Sequence, residues 1–383
     1  MAMALTDDQA ALREAARDFL TDKAGFERLR KTIESEAGWD EELWQGFAVE
    51  MGFAGAGIAE ADGGIGLGVL EQSLIMEELG RVLAAIPWFE SVVLAGGILA
   101  ASETPRRAEW LGGIASGETI ATLAMRSAAG SPIPDGIGPV ITSSGDEWSL
   151  SGEAHYVPFG HVATLLLVAA RNEGTTGWDG ITLLAIPADS AGVSVTRQTS
   201  LDLTRPYATI SFDNAKVASD AIVGQPGDGG KALRTALTRA AALLSAEQLG
   251  GAARSLQETV AYSKERIQFG RPIGSFQAVK HRLADMKLMV DSARTAADWA
   301  VRSLESGDET ETAAAGARTY CSDAFLHCAG DAIQLHGGIG FTWEHQAHLF
   351  FKRARASATL LDPPAHYRET IARHLFDDQQ EAA

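Results

Sequence analysis

The sequence has few of the residues that mark disulfide-stapled or redox proteins. It contains 2 cysteines in 383 residues, too few for a disulfide framework. Cys321 and Cys328 lie seven residues apart in a helical stretch, a spacing that puts both on one face without the short loop of a zinc or redox motif. We therefore expect both to be buried structural thiols.

Long apolar runs and a basic leader are also missing. The longest apolar candidate, Val92 to Ala101, contains two glycines and is shorter than the ~18 residues of a membrane span. Near the start, Asp7 and Asp8 are acidic where a signal peptide is basic. We therefore expect a cytoplasmic protein that does not enter a membrane.

Basic charge is scarce as well. Lys and Arg number 32 against 50 Asp and Glu, a formal net charge of −18. Such a balance repels phosphate backbones and anionic lipid surfaces, so nucleic acid is not an expected partner. Any phosphorylated ligand must be held by a few placed Arg or Lys side chains and by backbone amides.

Hydrophobic residues at 46% and charged residues at 21% are typical of a folded globular protein.

Hydrophobic periodicity divides the chain into three regions and predicts an α + β protein. Residues 1–117 show helical spacing and predict an N-terminal helical domain. Residues 118–223 consist of short β-branched runs between turn residues, which predict a middle antiparallel β-barrel or sandwich. Residues 224–383 follow the glycine-rich linker Gly224 to Gly230 and return to helical spacing, predicting a C-terminal four-helix bundle.

The strand predictions are specific. Pro139 to Ser143 and Glu147 to Ser151 flank a turn and predict a hairpin. Further strands are expected at Ala163 to Ala170, Gly180 to Ile186, Val193 to Gln198 and Ala208 to Phe212. Regular strand spacing without intervening helices disfavours a doubly wound nucleotide-binding domain.

Common catalytic and binding motifs are missing. Neither Gly63 to Gly68 nor Gly337 to Gly340 has the G-x-G-x-x-G register after a predicted strand. A G-x-S-x-G sequence is also missing, and Glu344, His345 and His348 do not match H-E-x-x-H. We therefore expect no metal site.

Two segments differ from ordinary helix and turn sequence. In Tyr262 to Met286, the Arg266 guanidinium could hold a diphosphate with two parallel hydrogen bonds, and the following residues break the helix into an apolar corner. In Gln334 to Glu344, paired glycines allow close backbone approach and expose amide donors at a helix end.

Together these two segments make the sequence resemble the acyl-CoA dehydrogenase family over nearly the whole chain. The resemblance also includes LTDDQAALREAARDFL from Leu5, GGIGLG and EELGR between Gly52 and Arg81, SGET at Ser116, the strand before Tyr156, and Ser211 to Gly224. It implies the fold of that family and a flavin enzyme in which FAD extends between two subunits.

The resemblance also assigns cofactor residues. On the side of the bundle it implies contacts from Arg266, Phe269, Gln277, Gln334, Leu335, His336, Gly337 and Gly338. On the side of the β domain it implies contacts from Tyr156, Val157 and Pro158. A nearby loop, where Met125 and Ser131 match the family register, departs from its usual residues except at Ser131.

The largest departure concerns the catalytic base. By resemblance, a carboxylate removes the proton α to the thioester while a hydride leaves the β carbon for the flavin. The C-terminal register puts Leu361 at the usual Glu position and Asp362 one residue later, whereas the alternative position in the first bundle helix is Ala240. Ala241 replaces a substrate-binding Arg. Glu247, about two turns beyond, is a second candidate base, with a buried structural role as the alternative.

Several functions remain open at this stage. The chain is expected to dehydrogenate an acyl-CoA with FAD, either as a homotetramer that uses Asp362 or as the degenerate half of an α2β2 enzyme. The second case is similar to paired subunits that act on bulky steroid side-chain thioesters. An electron-transferring flavoprotein is the implied acceptor. A flavin-dependent oxidase or oxygenase on the same fold, and a non-catalytic structural subunit, are the alternatives.

Overall fold

The protein is described by a computed structural model that covers residues 5–145 and 147–376. Its first six α-helices are short or of moderate length, and the five that follow form the C-terminal part. They are α1 Asp7–Lys23, α2 Phe26–Glu34, α3 Glu41–Trp44, α4 Val69–Val82, α5 Gly96–Ala100, α6 Arg107–Ala115, α7 Gly229–Glu265, α8 Gln277–Ser306, α9 Thr310–His336, α10 Ala347–Thr359 and α11 Pro364–Phe376.

Among the described residues, eight strands lie between α6 and α7, and two strands of two residues each follow α7. They are β1 Ala121–Ala124, β2 Val140–Ser144, β3 Glu147–Pro158, β4 Leu165–Asn172, β5 Ile181–Pro187, β6 Val193–Arg197, β7 Tyr207–Val217, β8 Ile222–Val223, β9 Ile267–Gln268 and β10 Arg271–Pro272. This order of helices, sheet and helices confirms the predicted α + β class.

The first helix begins at Asp7 because its N-terminus is capped. The Thr6 side chain accepts a hydrogen bond from the Gln9 backbone, and the Gln9 side chain accepts one from Thr6 N. Asp7 and Asp8 occupy the first turn, where the helix dipole favours negative charge. Ala16 and Leu20 are buried on the inner face.

The middle sheet has the order β6-β7-β3-β2-β4-β5-β8, with β1 paired to β4. The predicted hairpin is confirmed by the antiparallel β2–β3 pair, and the other four predicted strands correspond to β4, β5, β6 and β7. The sheet is not wholly antiparallel, however, because β1 and β2 both run parallel to β4. Parallel neighbours are joined by crossovers and not by hairpins, so local strand spacing could not reveal them.

Glycine at the start of α7 serves close packing and not a flexible linker. The sequence predicts a linker through Gly230, but α7 begins at Gly229. A Cβ on Gly230 would meet the Trp178 carbonyl oxygen at 2.0 Å, so only glycine permits this approach. The linker prediction is therefore wrong for the last two residues.

The chain forms two compact units, each assembled from separate segments. One comprises Met1–Lys31, Val69–Ala84 and Ala241–Ala383, and the other comprises Thr32–Gly68 and Ala85–Ala240. The domain boundaries expected after residues 117 and 223 stay a prediction.

In the first unit, α9 packs against α8, α10 and α11. Met286 and Val290 of α8 are buried, as the helical spacing predicts. Cys321 and Cys328 are buried free thiols, and burial raises the pKa of each to about 12. The prediction of structural thiols is confirmed.

Among the helices of the described residues, none is long and apolar enough to cross a membrane.

Candidate active site

The segment after α7 presents two predicted cofactor residues at its surface. β9 and β10 form a small hairpin whose turn residues Phe269 and Gly270 have φ values of 52° and 77°, typical of a tight two-residue turn. The backbone of Arg266 is fixed on both sides, since its N–H donates to Tyr262 O and its carbonyl accepts from Ile273 N. The Arg266 side chain is exposed and forms no hydrogen bond or ion pair with described residues.

Phe269 is the most exposed large apolar side chain described, at 92%. Its ring meets Phe276 edge-on at 6.1 Å, and Arg271 stacks on Phe276 at 4.1 Å. Gln277 begins α8 directly afterwards and is exposed. A phenyl ring held in water by a rigid turn is costly, so this hairpin is suited to be covered by another surface.

The end of α9 carries the second predicted segment. Gln334 is exposed, Leu335 is half-buried, and Gly337 caps the helix with a φ of 64°. Gly338 has a negative φ, and a Cβ added there would meet nothing within 4 Å. Neither strain nor internal packing therefore requires glycine at 338, and the space above its backbone is open to a ligand.

His336 connects the two segments. Its ring stacks on Tyr262 with centroids 4.3 Å apart, and its Nδ1 lies 2.7 Å from the Ala332 carbonyl. His345 packs on the His336 ring at 4.3 Å. Burial lowers the pKa of His336, so the imidazole is neutral near pH 7. The side chain of His336 thus packs internally, and its carbonyl accepts a hydrogen bond from the Tyr262 hydroxyl at 3.4 Å.

This donor set fits the diphosphate and ribose part of FAD. Arg266 offers a fork of N–H donors without a competing carboxylate, Gln277 and Gln334 offer exposed amides, and the glycines Gly337 and Gly338 expose backbone. These groups all lie in the unit that contains the C-terminal helices.

In the other unit, β3 presents the predicted flavin tripeptide at an irregularity. The β3–β7 register shifts between Ala154 and Val157, and Tyr156 has a φ of 57°. Tyr156 is 47% exposed and donates from its hydroxyl to Ala128 O at 3.1 Å. Val157 is buried, and the Pro158 carbonyl accepts from Thr122 Oγ1 at 2.8 Å.

The loop after β1 lies beside Tyr156. His155 N donates to Arg126 O at 2.7 Å, and Gly138 N donates to Met125 O at 2.8 Å. Arg126 Nη1 donates to the Ser131 carbonyl, so an arginine of the loop itself fixes its fold. The structure therefore brings Met125 and Ser131 to the same region as Tyr156. Met125 is buried, whereas Ser131 is partly exposed.

The corner between α10 and α11 holds the predicted C-terminal base. Leu361 is 5% exposed and adopts a φ of 71°, and Asp362 is 6% exposed. Asp362 Oδ2 lies 3.9 Å from His366 Nε2 on the next helical turn. The buried Arg318 side chain donates to the carbonyls of Ser357 and Leu360, which fixes the end of α10.

Glu247, the second candidate base, is engaged in a buried ion pair. Arg353 Nη1 donates to Glu247 Oε1 at 3.1 Å, and the two residues are 1% and 3% exposed. The backbone at Glu247 also packs against α4, because a Cβ on Gly80 would meet the Glu247 carbonyl at 2.0 Å. A carboxylate paired with a buried guanidinium is a weak proton acceptor.

The remaining base position on α7 offers no carboxylate. Ala240 is fully buried and Ala241 is 2% exposed. Arg239 beside them is partly buried, and this burial lowers its pKa. Sequence reasoning missed two arginines of the site. Arg318 holds the end of α10, and Arg353 pairs with Glu247. The one available signal was Arg318, which follows an alanine-rich helical stretch, whereas Arg353 stands among other basic residues.

Comparison with known proteins identifies the family. Residues 6–118 match the acyl-CoA dehydrogenase N-terminal domain, and residues 227–376 match the acyl-CoA dehydrogenase C-terminal domain. Acyl-CoA dehydrogenase IpdE2 of Mycolicibacterium smegmatis is 32% identical over 97% of this chain and 100% of its own.

Solved structures agree with the sequence relatives. The ChsE4–ChsE5 complex from Mycobacterium tuberculosis matches with a TM-score of 0.89 and 30% identity over 98% of this chain and 99% of its own. A variant of the Tcur3481–Tcur3483 steroid ACAD matches with a TM-score of 0.86 at 30% identity over the same shares. The chain belongs to the acyl-CoA dehydrogenase family of flavin oxidoreductases.

Proposed function

We propose that this chain is one subunit of a heteromeric, FAD-dependent acyl-CoA dehydrogenase whose partner subunit supplies the catalytic base. The observation that carries the proposal is Leu361. By resemblance this residue stands at the family position of the carboxylate, and its buried side chain has no group that accepts a proton.

Neither Asp362 nor Glu247 is well suited to replace the base that is missing at Leu361. Asp362 is buried at the corner beside His366, and the restriction that Pro363 imposes on its backbone limits reorientation. Glu247 is held by Arg353, and an ionised carboxylate stabilised by a guanidinium gives up much of its basicity. A base from another chain therefore accounts for dehydrogenation better than either residue.

In this proposal the chain still binds FAD as its cofactor. When bound, FAD supplies the acceptor for the hydride that leaves the substrate. Arg266, Gln277 and Gln334 would bind the diphosphate side, with Phe269 as the apolar contact, and Tyr156 would face the flavin. The exposed Phe269 ring and the unpaired Arg266 support a cofactor site that is completed in an assembly, which in this proposal is an α2β2 tetramer.

The relatives support a heteromer and a bulky substrate. ChsE4–ChsE5 is a complex of two different chains, and Tcur3481–Tcur3483 is a steroid ACAD. We therefore assign the substrate as a bulky, steroid-like acyl-CoA thioester. An electron-transferring flavoprotein is the proposed acceptor of the electrons.

Anaerobic flavin bleaching tests the proposal. The chain should be purified alone and after co-expression with a related family chain that retains the Glu. Both preparations are then mixed with short, long and steroid-derived acyl-CoAs. We expect bound flavin in both cases but rapid bleaching only in the co-expressed complex. Rapid bleaching by the chain alone would overturn the heteromeric assignment, and a preparation that binds no flavin in either state would overturn the FAD assignment.

A further inference from the structure

A cavity is lined by residues of α1, α4, α7 and α8 that all belong to one compact unit, and its lining includes neither Leu361 nor any residue predicted to hold FAD. Its volume is about 350 Å3, near the lower end of the about 300–1,000 Å3 typical of small-molecule pockets. The apolar part of its wall comes from Leu70 and Leu74 of α4, Leu249 of α7 and Val301 of α8.

The cavity exists because small side chains stand where these helices face it. Ala246 of α7 and Ala297 of α8 both line the wall and are each 3% exposed. Close-packed interiors leave few voids, and unfilled apolar space lowers stability. A bound apolar chain would recover those contacts.

The polar part of the wall contains Arg13, whose positive charge helps to lower the pKa of Glu77 but whose N–H donors make no hydrogen bond with described residues. Arg294 holds Glu77 with two hydrogen bonds of 2.7 and 2.8 Å, and Asp298, one turn later on α8, helps to raise the pKa of Arg294. Arg13 of α1 is partly exposed. Its guanidinium carries five N–H donors.

We propose that this cavity is a binding site for a free medium-chain monocarboxylate, with the carboxylate on Arg13 and the aliphatic chain against the leucine wall. A planar carboxylate matches the guanidinium fork with two charge-assisted hydrogen bonds. The alkyl chain would contact the leucine and valine side chains that line the cavity. The limited volume favours a short chain over a long one.

Calorimetric titration of the full-length protein with octanoate tests this site. Octanoate should bind, and acetate, which has no chain, should bind at least tenfold more weakly. Octanol should also bind more weakly, because it offers no charge to Arg13. The Arg13→Met variant, which keeps the length of the side chain, should lower octanoate affinity about tenfold, as expected for a lost charge-assisted pair.

Two further variants make the test specific. Lys23→Met removes a cation from the exposed last turn of α1, outside the cavity, and should leave octanoate affinity unchanged. Ala297→Leu should fill the cavity and weaken octanoate and octanol alike. Equal affinity of wild type and Arg13→Met for octanoate, equal affinity for octanol and octanoate, or no octanoate binding at millimolar concentration would each overturn the proposal.

Discussion

Arg353 donates a hydrogen bond to Glu247 across 3.1 Å inside the helical unit, where both side chains are almost completely buried. The pair joins α10 to α7. Buried ion pairs of this kind cost much when one partner is removed, because the other charge is left desolvated. Glu247 is therefore explained by the stability of the helices, which makes it a poor candidate for a catalytic base.

Replacement of Glu247 should act on stability. In Glu247→Gln, Arg353 loses its anionic partner, and we expect the free energy of unfolding to fall by about 3–5 kcal/mol. Chemical denaturation of the purified protein measures this. The double variant Glu247→Gln/Arg353→Met should recover part of the loss. A stability equal to wild type combined with a lost flavin-bleaching rate would instead identify Glu247 as the base.

Arg266 should control FAD affinity. Removal of its guanidinium in Arg266→Ala deletes the charge-assisted hydrogen bonds expected to the diphosphate, each typically worth about 1.5–3 kcal/mol, so the Kd for FAD should rise at least about tenfold. Titration of FAD into apoprotein gives the value. Arg373→Ala, which changes an exposed arginine paired with Glu369 on α11, serves as the control. An unchanged Kd in Arg266→Ala would place the diphosphate elsewhere.

Replacement of Asp362 should have little effect on chemistry. Asp362 lies buried beside His366. The family resemblance puts it one residue out of register, and its side chain is shorter than that of Glu. We expect Asp362→Asn to change the rate of flavin bleaching by less than about threefold, far less than the 10²–10⁴ of a lost general base. Stopped-flow measurements on the chain alone and on the co-expressed complex decide this. A loss of orders of magnitude in the chain alone would make Asp362 the base.

Installing a carboxylate at Leu361 should confer activity if the corner still presents that position to substrate. Arg318 holds the end of α10 through the carbonyls of Ser357 and Leu360, so the backbone of the corner is fixed. We expect Leu361→Glu to raise the bleaching rate of the isolated chain by at least about 10², within the usual contribution of a general base. Leu361→Gln, equal in size but unable to take the proton, should remain at the wild-type rate and thus serves as control.

The fold could be predicted well from the sequence because its signals are local. The turn between β2 and β3 acts within a few positions, and the predicted hairpin is confirmed. The parallel pairing of β1 with β4 depends on a crossover and left no local signal. Similarly, Glu247 and Arg353 lie 106 residues apart, so their pairing could not be derived from spacing.

Stability at acid pH should depend on Glu77 of α4. Burial is the largest single influence and would by itself raise the pKa of this carboxyl. The hydrogen bonds to Arg294 of α8, together with the positive charges of Arg294, Arg81 and Arg13, outweigh it and lower the pKa below the usual 4.5. A carboxyl with a lowered folded pKa stabilises the native state fully at pH values above its unfolded pKa. This contribution is lost as the pH falls from the unfolded pKa through the folded pKa, because the unfolded state there binds a proton that the native state does not.

Glu77→Gln should therefore lower stability at neutral pH, by about 3–5 kcal/mol for a broken buried pair. The difference from wild type should stay constant above pH 5 and shrink as the pH falls below 4.5. Urea denaturation between pH 3 and pH 7 measures both curves, and Glu14→Gln on the exposed face of α1 controls for the loss of one acidic group. A difference that stays the same down to pH 3 would show that the Glu77–Arg294 pair does not set the acid stability of these helices.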